Sequence, residues 1–125
     1  MPYTEESSLP EVTDEMLNEA LGKVRPYAVV LLKAGPRFTG PAPDRDESVS
    51  KVIWQHGKRN FALRAARLMP IVCPIADGSG LTGVGIFDAT PEETDRIMAQ
   101  DPGVAAGIFT YEIHPTRSFP GSSLP

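Results

Sequence analysis

Three polar side chains, His56, Asn60 and Arg67, interrupt an otherwise apolar stripe of one amphipathic segment. At about 100° per residue they share a sector with Val49, Val52, Ile53 and Leu63, the sector a core would cover. A buried polar group left unsatisfied costs on the order of 1–3 kcal/mol, so all three need partners. A structural hydrogen-bond network meets that need, with Arg67 tied to a carboxylate or to the last carbonyls of the helix. A small-ligand pocket meets it equally, because polar groups converging in an apolar concavity are what such pockets present. The carboxylate to test against His56 is Asp77. A strand that follows this helix and runs back along it would end level with its N-terminal half, where His56 lies. A carboxylate beside an imidazole fixes its tautomer and favours its charged form, as in a general base. Asp77 also suits plain turn chemistry, since aspartate before glycine is common in turns.

The stretch GSGLTG, residues 78–83, fits the G-x-G-x-x-G pattern of dinucleotide-binding turns. That fingerprint needs a helix to begin within the glycines, so that the pyrophosphate sits on its N-terminus. Here Val84, Gly85, Ile86 and Phe87 follow, which is a strand pattern. A hairpin turn at Asp77-Gly78-Ser79-Gly80 is therefore expected, and no cofactor. Gly83 and Gly85, two apart, share one strand face and mark a bulge or a close approach. Cys73, the single cysteine, reads as a small core hydrophobe. Asp101 before Pro102 caps a turn after the second helix of the unit, and His114 before Pro115 reads as a surface residue. Glu112 suits either a concavity or solvent. No His/Cys/Asp/Glu set has metal-ligand spacing and no G-x-S-x-G is present, so no metal is expected.

Several elements must position these groups. Thr13 caps a short helix carrying Met16, Leu17, Ala20, Leu21 and Val24 on one face. Tyr27 to Ala34 is a nearly continuous apolar run, expected as a strand covered on both faces. Gly35 to Asp46 is a proline- and glycine-rich loop. The helix bearing His56 runs from about Ser48 to Leu68. It has a second apolar sector, Trp54, Phe61, Ala65 and Leu68, which needs its own cover from the N-terminal helix or another subunit. Pro70 to Ala76 holds two prolines and so belongs at a sheet edge. Leu81 to Asp88 is a third strand. Thr90-Pro91-Glu92-Glu93 is a capping box opening a helix that stops near Asp101. Gly107 to Ile113 is the last strand. The order is β-α-β-β-α-β after one extra helix, the split β-α-β, ferredoxin-like arrangement of an α+β fold. Residues 1–26 form an N-terminal arm and helix; residues 27–125 form the domain.

At 125 residues, with 41% hydrophobic and 22% charged residues, an ordinary globular chain is expected. The net charge of −4 argues against a nucleic-acid partner. The acidic N-terminus has no apolar core of a signal peptide, and no run approaches the roughly 20 residues needed to cross a bilayer. A cytoplasmic protein with no membrane partner fits.

From Tyr27 to Pro115 the chain resembles the YCII-related (YciI-like) family. The resemblance rests on His56 in the helix, on Pro74-x-x-Asp77-Gly78 at a strand end, and on Asp101-Pro102 followed by Gly107 and a final strand. It implies a dimeric α+β barrel, in which two four-stranded sheets from two subunits face each other. It also implies a histidine–aspartate pair in a cleft, by position His56 and Asp77. Most of the family has no assigned reaction; a related member is a cofactor-free dehydrochlorinase acting on a chlorinated hydroxyhydroquinone. The chain departs from the family in its N-terminal helix, in the Gly35–Asp46 loop, and in Cys73 where glycine is frequent.

The expectation is a homodimer with a small-molecule pocket lined by His56, Asp77, Asn60 and Arg67. As a cofactor-independent lyase or isomerase, His56 would take a proton, Asp77 would orient its ring, and Asn60 or Arg67 would hold the developing oxyanion. The alternatives are a non-catalytic small-ligand or stress-response module using the same pocket, and a purely structural polar stripe satisfied within the dimer.

Overall fold

Capping chemistry decides where each helix begins. The structure, a computed structural model, describes residues 5–39 and 46–125, so residues 40–45 of the proline-rich loop lie outside the described residues. Helix α1, Asp14–Leu21, starts where the Thr13 hydroxyl accepts the Met16 N–H at 3.2 Å. Helix α2, Glu47–Ala65, starts at Asp46, whose carboxylate accepts the Ser48 N–H at 2.9 Å. It ends before the expected Leu68, because Arg67 turns left-handed at φ 62° and the Leu68 N–H bonds back to the Leu63 carbonyl at 3.0 Å. Helix α3, Pro91–Ala99, carries the expected capping box between Thr90 and Glu93. A further short helix, α4, Pro102–Ala105, stands where only a turn was expected.

The strands are β1 (Arg25–Ala34), β2 (Ile71–Pro74), β3 (Leu81–Phe87) and β4 (Phe109–Ser118). They form a four-stranded antiparallel sheet in the order β2-β3-β1-β4. β4 continues past Ile113 through His114 and Pro115 to Ser118. Proline-bearing β2 lies at an edge, where the donor missing at Pro74 costs no ladder bond. Cys73 pairs with Val84 there and is exposed rather than part of the core, since an edge strand of four residues gives it little cover. Gly78 and Gly80 take φ of 76° and 91° in the β2–β3 connection, so the glycines of GSGLTG serve a hairpin.

Alternation along the central strands builds the core. Ala28, Val30 and Leu32 of β1 and Phe87 of β3 are buried with Val49 and Leu63 of α2, Met98 of α3, Met69, Ile108 and Phe109. Gly85 lets Met69 lie across β3, because a Cβ there would sit 2.7 Å from the Met69 sulfur. Val29, Leu31, Val84 and Ile86 alternate onto the other face and are only half-buried, so within one chain β1 is covered fully on one side.

By its contacts the chain divides into two units, Met1–Arg25 with Ser118–Pro125, and Pro26–Arg117. In the first, Met16, Glu19, Ala20 and Lys23 line an open groove of about 330 Å³ with Phe119 and Pro120. The second holds α2, α3, α4 and the body of the sheet. No helix among the described residues is long and apolar enough to cross a membrane.

Candidate functional site

The His56 side of α2 is assembled by helical spacing. His56, Arg59, Asn60 and Leu63 stand at i, i+3, i+4 and i+7, so one face carries an imidazole, a guanidinium and an amide above a core leucine. His56 is buried, and its Nδ1 lies 2.7 Å from Oδ1 of Asp101, itself 1% exposed. This carboxylate serves two structures at once. Its Oδ2 accepts the N–H groups of Gly103 at 2.9 Å and Val104 at 3.1 Å, which caps α4. Its Oδ1 faces His56, and Arg59 Nη1 stands 3.8 Å from the same oxygen.

Burial pushes the Asp101 carboxyl up, but the hydrogen bond and charge of His56 and the two backbone N–H groups outweigh it. The carboxyl is held below its ordinary value of 3.8. An ionised carboxylate only accepts, so His56 Nδ1 carries the shared proton and donates it. Nε2 is then the ring atom able to exchange a proton. Asn60 Nδ2 stands 3.2 Å from it.

Packing fixes the pair from two sides. The Phe109 ring lies 4.7 Å from the imidazole, tilted by 44°. Gly103 leaves space for that ring, since a Cβ there would come within 2.5 Å of Phe109 and 3.1 Å of Asp101 Oδ2. Arg59 Nη2 donates to the Ile97 carbonyl at 2.8 Å, tying α2 to α3.

The carboxylate partner of His56 is thus Asp101, not Asp77. Strand β2 ends at Pro74, and Asp77 falls in the exposed turn beyond it, where its Oδ1 accepts the Ser79 N–H at 3.0 Å. The Ser79 side chain and backbone hold the Asp77 carboxyl below its ordinary value. Arg67 also leaves the stripe, because it sits beyond the last turn of α2 in the left-handed conformation, exposed. Asn60 is brought to His56 as its spacing required.

Two residues escaped the sequence reading. Arg59 carried a legible signal, three residues after His56. Asp101 was recognised only as a cap; its second oxygen serves a residue 45 positions away. His114 is exposed, with Nε2 2.9 Å from Glu112, which also binds Lys33. No group of three or more potential metal ligands occurs among the described residues. No protein-family model and no curated protein sequence matches this chain.

Proposed function

We propose that the chain is a cofactor-independent lyase or isomerase that moves a proton on a small molecule, with His56 as its base. The observation that carries this reading is the 2.7 Å contact of His56 Nδ1 with a carboxylate whose other oxygen is pinned by two backbone N–H groups. Such a carboxylate orients the ring and stabilises the imidazolium formed when Nε2 takes a proton. Asn60 covers Nε2 and moves aside for substrate, then donates to the developing oxyanion; Arg59 adds positive charge beside Asp101. The subunit is ferredoxin-like and pairs with a second copy through the open sheet face of Val29, Leu31, Val84 and Ile86. The strand order β2-β3-β1-β4 and the half-burial of those residues support this.

A second reading, a non-catalytic ligand-binding dimer, is favoured by one observation: both ring nitrogens of His56 already have protein partners. Ligands that raise the melting temperature, recovered after incubation in D2O and examined by proton NMR, separate the two. Deuterium uptake or an eliminated product that falls about 10²–10⁴-fold in His56→Gln supports catalysis. Ligands recovered unchanged from protein they stabilise would support the binder instead.

A further inference from the structure

α2 carries on its outer side a second apolar stripe that the described residues of its own unit leave exposed. Trp54 is 72% exposed and Phe61 64%, one heptad apart, with Ala65 exposed beside them. On the helical wheel Lys51 and Lys58 border this stripe on one side and Arg64 on the other. The Arg64 guanidinium stands 6.0 Å over the Phe61 ring. Gly57 lies on the same side, and a Cβ added to it would meet nothing within 4 Å. A glycine inside a helix is unfavourable by about 1 kcal/mol relative to alanine. The open side of Gly57 leaves room for another backbone to approach.

Helix α1 has the complementary design. It is eight residues long and buries none of them, with Leu17 50% and Leu21 49% exposed. Isolated helices shorter than about 12–15 residues are marginal in water, so α1 needs cover. Asp14 and Glu19 border its apolar arc. Within α1 the charged residues are Asp14, Glu15 and Glu19, a net of −3; on the outer side of α2 they are Glu47 against Lys51, Lys58 and Arg64, a net of +2, since Arg59 lies on the His56 side. Charge therefore disfavours α2 against α2 and favours α1 against α2. We propose that α1 of a second copy of this chain docks along the Trp54–Phe61–Ala65 stripe, its Leu17 and Leu21 entering the gap over Gly57. The contact uses the side of α2 opposite His56 and does not depend on the catalytic reading.

Trp54 is the only tryptophan, so its emission reports this surface alone. In full-length protein the expected result is blue-shifted emission with weak acrylamide quenching, reverting to that of a water-exposed indole on dilution. Leu17→Glu with Leu21→Glu removes both leucines from the proposed contact and should weaken the association more than about 100-fold, leaving the emission exposed at all concentrations. Adding a tryptophan-free copy, Trp54→Phe with Phe61→Glu, supplies an intact α1 and should restore the blue shift of that double variant. All four positions are exposed, and circular dichroism of each variant should match that of the parent. Exposed, concentration-independent emission in the parent overturns the proposal. So does a blue shift that dilution and the added copy leave unchanged, which places the cover within one chain. A blue shift surviving the two α1 substitutions overturns it too, in favour of α2 against α2.

Discussion

Each of the two histidines contacts a carboxylate at nearly the same distance, 2.7 Å for His56–Asp101 and 2.9 Å for His114–Glu112. Their surroundings differ. The side chains of the first pair are 10% and 1% exposed, those of the second 59% and 41%. Water competes for every charge in the second pair and salt screens it, whereas the first pair has replaced its water with fixed protein partners. Distance says that two groups meet; burial says what their separation would cost. Asp101 also joins helix α4 to the pair, while Glu112 joins the exposed His114 on β4 and the half-buried Lys33 on β1.

The comparison breaks most visibly on carboxylate removal. Asp101→Ala strands a buried imidazole and uncaps α4, and should cost about 3–5 kcal/mol in urea unfolding. Glu112→Ala should leave the urea midpoint within scatter, and equal losses would refute the contrast. Gly103→Ala tests the same pair without touching its charges. The new methyl meets Phe109 and Asp101, an overpacking cost of about 1–3 kcal/mol, accompanied by a changed His56 ring environment in NMR.

Acid titration sharpens the contrast further. Asp101 is depressed in the fold, so its contribution is present above its ordinary value of 3.8 and is lost as pH falls through the lower folded value. Asp101→Asn should flatten that acid limb at any ionic strength. The Lys33 and His114 contacts likewise hold Glu112 below 4.5, but Glu112→Gln should alter the limb only at low salt. The smallest effect is alkaline. Burial and the Asp95 hydrogen bond push the Tyr111 phenol up to about 12. Its contribution is present below the reference value of about 10 and disappears as pH rises through the folded value. Tyr111→Phe should remove that limb.

Local chemistry made much of the fold legible. The Thr13 cap, the Thr90–Glu93 capping box and the hairpin glycines act within a few residues of themselves, and prolines sent β2 to an edge. The structure places the helices and the sheet of the expected α+β chain accordingly. His56 and Asn60 were legible for the same reason, since helical spacing alone joins them. The carboxylate was not. Choosing Asp77 assumed a strand long enough to carry it back to His56, and β2 stops at Pro74. Asp101 showed its capping oxygen plainly in Asp-Pro-Gly, and that local use concealed the long-range one. Arg67 was misplaced because a helical wheel has no meaning beyond the residue where the helix ends.

The two oxygens of Asp101 make a wire of two bonds. Whatever draws Oδ1 away from His56, whether proton, ligand or substitution, reorients Oδ2 against the amides of Gly103 and Val104. Those two backbone signals should therefore follow the state of the buried imidazole, giving a spectroscopic gauge of the site that touches neither the histidine nor whatever binds there.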